Sequence, residues 1–391
     1  MNSLLHKKVE NRFGRPIKFS YECVELSAHI KKSINTNISP QTLRRVMGFI
    51  KDNVKTSNRI LDYISIYCGY DNYETLLSHK ENKEQQVDES VVETIKLFYS
   101  IEINKSYDIN YQRASGNIAK LIVTNSALFN KLSGFLAKKE ASQIYFFERY
   151  PYIDGLNESY LSHLQKYMQN KKTIESDLFG YSLHFLSHYL RENFDELPKY
   201  IKKINEIENT NEIHPFPIAR KLMSNIVFAH YNNDQYAINE WTKVVFSEEK
   251  NINKKYKSNN VFPFYHYIIA DYFNLIGEYE SALKVYKIAE LDYKSYNDGT
   301  IEFGYYENFD LMKAITYYYT GDKQAAKRIL KRIDSSMVQF TFQDYHNINR
   351  KILEYNLTGP LTSRKKESLK EEINLLIDKT GYTLFRKFIK E

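Results

Sequence analysis

The sequence predicts an all-α protein, and three observations support that fold class. Glycine and proline are scarce, with 13 and 8 copies among 391 residues, which disfavours folds rich in tight turns. Long stretches carry apolar residues at helical spacing. From about residue 176, a helical pattern, a short polar turn and a second helical pattern recur along the chain.

Positive charge is concentrated at the start of the chain. Residues 1–80 hold 13 Lys and Arg against 7 Asp and Glu, a net charge of +6, whereas the remainder is nearly neutral. A small basic region on a neutral body suggests nucleic-acid binding. The segment 81–90 is polar except for Val87, which predicts a linker. We therefore expect a basic DNA-binding domain at 1–80, a helical connecting region at 91–175 and a repeat domain at 176–391.

One helix of the basic region is predicted in detail, over residues 38–50. Ser39 is a suitable N-cap, and Pro40 suits the first helical position because its missing N–H costs nothing there. The spacing predicts a buried face of Leu43, Val46, Met47 and Ile50 and an exposed face of Gln41, Arg44, Arg45 and Gly48. The preceding helix is expected to end at Lys31-Lys32, and a further helix to follow Thr56-Ser57.

This order of helices resembles the last helices of phage-repressor-type (Xre-like) helix-turn-helix domains. The resemblance implies that the helix after Ser39 is a recognition helix facing DNA. The DNA-binding residues it implies, with basic neighbours, are Ser39, Gln41, Thr42, Arg44, Arg45, Lys31, Lys32 and Lys51. Arg12, Arg15 and Lys18 are expected to add contacts to the DNA backbone. Residues 17–80 also resemble the N-terminal module of many uncharacterised Bacteroidetes proteins. The other interpretation is a small basic cap with solvated arginines.

The repeats predict helical hairpins with turns beginning at Glu192, Asn232, Gly277, Gly321 and Gly359. The residues five positions after the first four are Leu197, Ala237, Ala282 and Ala326, where a small side chain allows a close approach of paired helices. Residues 176–357 resemble the tetratricopeptide repeat, most clearly at 277–289 and 321–333. That resemblance implies a helical-hairpin solenoid with a concave face for peptides or partner proteins.

Aromatic runs in the body leave two interpretations open. One is packing between repeats; the other is a groove that stacks on a peptide while asparagines bond to the peptide backbone. Asparagines have that role in the quorum-sensing regulators that the overall layout resembles. The candidate groove residues are Asn225, Asn274, Asn308, Tyr265 and Tyr306.

The sequence contains no motif for catalysis or for a cofactor. His184 and His188 lie one helical turn apart, but no third metal ligand is evident, so packed or surface histidines are expected. Two cysteines without a framework, no signal peptide and no membrane span indicate a cytoplasmic protein. We therefore expect no enzyme, no cofactor and no metal.

Together these features predict a bacterial, homodimeric DNA-binding transcription regulator whose repeat domain senses a peptide or protein partner. A dimer would place two recognition helices about 34 Å apart on the DNA. The alternative is a non-enzymatic tetratricopeptide-type interaction scaffold, in bacterial defence or stress signalling. An enzyme without recognisable motifs is the third and weakest hypothesis.

Overall fold

The computed structural model describes residues 3–50, 56–74, 76, 87–102, 109–208, 213–256, 264–293, 305–358 and 363–389. All regular structure in these ranges is helical, as predicted, and none of it is a strand. The chain divides into two compact units, residues 1–92 and 93–391. Of the predicted linker, residues 81–86 lie outside the described ranges, as do Lys51 and Gly359.

The first unit is a small helical domain with one apolar core. Each helix contributes a stripe of buried residues to this core, including Leu5 and Val9, Leu26 and Ile30, Leu43 and Val46, and Ile64 and Tyr67. Its helices are α1 (Ser3–Phe13), α2 (Cys23–Ile34), α3 (Pro40–Val46) and α4 (Asn58–Tyr67), with a 3-10 turn at Ser20–Glu22 before α2.

The turn between α2 and α3 differs from the prediction. Helix α2 continues past Lys32 to Ile34, so the turn comprises only residues 35–39. Asn35 ends α2 in the left-handed conformation with φ of 51°, the conformation that a glycine often supplies after a helix. Asparagine tolerates it because its short polar side chain lowers the steric cost.

The start of α3 is confirmed, and its end is earlier than predicted. Ser39 Oγ accepts a hydrogen bond from the Thr42 backbone N–H at 3.1 Å, and Pro40 occupies the first turn. The helix stops at Val46, because Gly48 follows with φ of +78°. Ile50 therefore lies beyond the helix and does not extend its buried face.

The second unit begins with helices that pack around aromatic side chains. Tyr145, Phe146 and Phe147 are all buried, which confirms core packing for this run. The division between the two units falls inside the first of these helices. The helices are α5 (Glu89–Phe98), α6 (Ile109–Val123), α7 (Ser126–Lys138), α8 (Glu140–Ser142) with the π-helical segment Gln143–Glu148, and α9 (Glu158–Lys171).

Five helical hairpins follow. The first helix of each hairpin packs against the first helix of the next. The pairs are α10 (Ile174–Leu190) with α11 (Leu197–Asn205), α12 (Pro215–Tyr231) with α13 (Gln235–Tyr256), α14 (Phe264–Leu275) with α15 (Tyr279–Tyr293), α16 (Tyr305–Tyr319) with α17 (Lys323–Leu330), and α18 (Gln343–Leu357) with α19 (Ser363–Thr380).

Each turn inside the first four hairpins contains a residue with positive φ. These residues are Glu192, Asn233, Gly277 and Gly321. The second turn thus begins one residue later than predicted. The residue five positions after Asn233 is Ile238, which is buried, whereas Ala237 is half-exposed. With this register, the fifth position is buried in all four hairpins, at Leu197, Ile238, Ala282 and Ala326.

The second unit closes on itself, which the repeat pattern did not predict. Both carboxylate oxygens of Asp154 accept backbone hydrogen bonds at the start of α18, from Asp344 at 2.7 Å and Tyr345 at 2.8 Å. The Tyr382 hydroxyl donates to the Ile153 carbonyl. These contacts join the segment before the hairpins to the last hairpin and the C-terminal segment.

Candidate functional site

The predicted DNA-binding residues fall around the turn between α2 and α3. Lys31 and Lys32 are exposed in the last turn of α2, and Gln41 is exposed in the first turn of α3. None of the three makes an ion pair or hydrogen bond within the described part of the chain. The turn is held to α2 by Ser27, whose hydroxyl donates to the Ile38 carbonyl at 2.6 Å. Two ammonium groups and an amide thus flank a well-anchored turn.

Ser39 and Thr42 are used in the helix itself. Their hydroxyls lie 2.9 Å apart, and Ser39 also caps the first turn of α3. These bonds stabilise the first turn of α3, in which Gln41 lies. The N-cap role predicted for Ser39 is confirmed, and the DNA contacts of Ser39 and Thr42 stay a prediction.

Arg44 has a structural contact that the sequence did not indicate. Its Nε donates to the Ser20 carbonyl at 3.1 Å, tying α3 to the turn before α2. Only its terminal nitrogens can therefore reach a phosphate without breaking this contact. Arg45 is half-buried and also interacts within the chain.

Arg15, predicted to contact the DNA backbone, forms ion pairs with two acidic neighbours, and its DNA contact stays a prediction. It pairs with Glu22 and with Glu25, the latter at 2.6 Å. Glu22 also accepts the backbone N–H groups of Lys18 and Phe19, both at 2.7 Å. The hydrogen bonds from Arg15 and from Phe19 hold the pKa of Glu22 below its usual value. These contacts fix the conformation of the turn that precedes α2.

An exposed apolar cluster lies next to this turn and was not predicted from the sequence. Phe19, Tyr21 and Val24 are all more than half exposed. The Phe19 and Tyr21 rings stack with centroids 5.6 Å apart. The sequence did indicate their exposure, because these residues fall outside the apolar stripe of α2, which runs through Cys23, Leu26 and Ile30.

The three asparagines predicted to line a peptide groove hold neighbouring hairpins together instead. Asn225 exchanges amide hydrogen bonds with Asn205 at 2.9 Å. Asn274 donates to the Met312 carbonyl at 2.9 Å and accepts from Thr316 at 2.7 Å. All three asparagines are buried, so these amides are not presented on an open face.

Asn308 makes the most central of these links. It is fully buried, donates to the Tyr267 hydroxyl at 2.7 Å and bonds to His346 at 3.2 Å. Through it, α16 is bonded to both α14 and α18. Burial lowers the pKa of His346 to about 3, so this imidazole is neutral at physiological pH.

The two predicted groove tyrosines are not brought together with the asparagines on a surface. Tyr265 is buried and its hydroxyl donates to the Val245 carbonyl at 2.7 Å. Tyr306 is half-buried and interacts within the chain. Tyr265 therefore serves packing, the first of the two interpretations that the sequence left open.

His184 and His188 both stack on one ring, that of Tyr200, with centroids 4.9 Å and 5.3 Å away. Burial lowers the pKa of His184 to about 4. Across the described residues, no group of three His, Cys, Asp or Glu side chains could hold a metal ion.

A second candidate site lies in the second unit and was not predicted from the sequence. Arg220 of α12 is 97% buried, and two of its nitrogens, Nε and Nη1, have no hydrogen-bond partner. It borders a cavity of about 30 Å³ together with Asp271 and Tyr345, whose hydroxyl donates to Asp271 at 3.0 Å. Burial raises the pKa of Asp271 to about 7. The overlooked signal was an arginine at an inward position of a largely apolar helix.

Comparison with known proteins gives no match: no family model, no curated protein and no solved structure is similar to the chain. Among the described residues, no helix combines the length and apolar character needed to cross a bilayer.

Proposed function

We propose that the first unit binds double-stranded DNA and that the protein is a cytoplasmic transcription regulator acting as a homodimer. The observation that carries the proposal is the exposure of Lys31, Lys32 and Gln41 around one anchored turn, in the region that holds nearly all of the excess positive charge. The resemblance of α2, α3 and α4 to Xre-like helix-turn-helix domains adds support.

The three side chains suit different parts of a DNA duplex. Lysine ammonium groups neutralise phosphates and release bound counterions, which gives affinity without sequence preference. A glutamine amide can donate to and accept from adenine in the major groove, which gives preference for a base. The hydrogen bonds of Ser39, Thr42 and Arg44 within the unit hold α3 in place for such contacts. In this proposal the second unit regulates DNA binding by the first unit or assembles the dimer.

Charge reversal of the two lysines tests the proposal. We expect the double variant Lys31→Glu/Lys32→Glu to bind a random DNA duplex at least about tenfold more weakly at low salt, because two phosphate contacts are replaced by repulsion. Fluorescence anisotropy of a labelled duplex measures the affinity.

The matched control is Arg364→Glu/Lys365→Glu, which makes the same charge change at two adjacent exposed residues of α19. This control is expected to retain nearly the full affinity. Equal losses in both double variants would show that net charge alone governs binding and would contradict an interface at α2 and α3.

One observation favours the alternative of a non-enzymatic interaction scaffold. The exposed cluster of Phe19, Tyr21 and Val24 suits a protein partner better than a phosphate backbone. The two functions differ in their salt dependence, because apolar association does not weaken as ionic strength rises.

A further inference from the structure

Arg220 is a buried cation that the chain itself leaves largely unsatisfied. Only 3% of the residue is exposed, and Nε and Nη1 lack hydrogen-bond partners. The Phe216 ring is one partner, with the guanidinium carbon 4.9 Å from the ring centroid. A contact with an aromatic ring offsets only a small part of the cost of burying a charge. The guanidinium therefore retains hydrogen-bonding capacity that a ligand could use.

The surroundings of Arg220 leave room for such a group. The cavity of about 30 Å³ has apolar walls formed in part by Ile153, Leu186 and Phe342. A water molecule needs about 10–15 Å³, so two or three water-sized groups fit, about the size of a carboxylate that carries one methyl group. The hydroxyl of Tyr272, on the wall of the same cavity, lies close enough to interact with Arg220 but makes no well-formed hydrogen bond. Two polar side chains with unused hydrogen-bonding capacity therefore border one largely apolar space.

The acidic group nearby does not neutralise Arg220 by direct contact. Asp271 also lines the cavity, but no ion pair within 4 Å joins the two side chains. Instead, Asp271 accepts the hydroxyl hydrogen bond of Tyr345 at 3.0 Å. Arg149 lies near enough to act on the Tyr305 hydroxyl of the same cavity. The cavity is thus lined both by the positively charged Arg220 and by the acidic Asp271.

We propose that this cavity binds a small monocarboxylic acid, with its carboxylate on Arg220 and its short hydrocarbon part against the apolar walls. The planar guanidinium matches a carboxylate in shape and donates to both of its oxygens. A single negative charge matches the single positive charge of Arg220, whereas a dianion such as phosphate would place excess negative charge in a space that Asp271 also lines. Water could fill the space but would bring no negative charge into contact with the guanidinium. The inference concerns the second unit alone and does not rest on DNA binding.

The test is thermal unfolding of the full chain with sodium acetate, compared with sodium chloride at equal ionic strength. Acetate is expected to raise the Tm in a saturable way, because a ligand that binds only the native state stabilises it. The Arg220→Met variant is expected to lose this shift, and the control Arg328→Met, at an exposed arginine of α17, to keep it.

A conservative variant keeps the inference testable if Arg220→Met does not fold. Arg220→Lys keeps the charge but loses the planar donor pair, so the acetate concentration at half-effect should rise about tenfold. The proposal is overturned if acetate acts no differently from chloride, if Arg220→Lys responds like the unmodified protein, or if inorganic phosphate produces the saturable shift and acetate does not.

Discussion

Replacing Asp154 by alanine is expected to lower the free energy of unfolding of the second unit by about 3 kcal/mol. The carboxylate accepts two backbone hydrogen bonds at the start of α18, from residues 190 and 191 positions further along the chain. Loss of a helix cap costs up to about 2 kcal/mol, and a buried donor left unpaired costs a further 1–3 kcal/mol. Asp154 is 9% exposed, so water replaces it poorly.

Urea unfolding followed by tryptophan fluorescence measures this loss, since the single tryptophan, Trp241, lies in α13. The matched control is Asp334→Ala, which removes an exposed carboxylate cap on Ser336 in the same unit. We expect the control to lose at most about 1 kcal/mol. Similar losses for the two variants would show that the contact between Asp154 and α18 does not hold the unit closed.

Replacing Asn308 by alanine is the second large effect, again about 3 kcal/mol of unfolding free energy. The amide bonds to Tyr267 and to His346, which belong to the hairpins on either side. Both partners are buried, so the substitution leaves polar atoms unpaired and opens a small cavity. This one side chain thus bonds three successive hairpins to one another.

The control for Asn308 is Asn232→Ala, at an exposed asparagine whose amide bonds only to the Phe228 carbonyl of its own helix. This change should lower the free energy of unfolding, measured with urea, by less than about 0.5 kcal/mol. The account of the hairpin stack is wrong if Asn308→Ala is no more destabilising than this control.

Local features of the fold were predictable from the sequence. The Ser39-Pro40 pair indicated the start of α3, because capping and the fixed φ of proline act within a few residues. Gly277 and Gly321 indicated two hairpin turns, since glycine readily adopts positive φ. Where Asn233 supplies the positive φ instead, the prediction was one residue out of register.

Features that depend on distant contacts were not predictable. The role of Asp154 requires knowledge of which residues lie beside it, 190 positions away in the chain. Asn225, Asn274 and Asn308 have the residue type that a groove would use, and only their burial shows that they bond to neighbouring hairpins. The isolation of Arg220 is likewise a property of the packed interior.

The most direct test of DNA binding is the affinity of the unmodified full chain for a random duplex at 50 mM and 200 mM salt. In the proposed homodimer, Lys31 and Lys32 of both copies make four phosphate contacts, which predict a loss of about 100-fold between these conditions, because each contact releases close to one counterion. Absence of binding at 50 mM, or an affinity that does not change with salt, would contradict the assignment of the first unit as a DNA-binding domain.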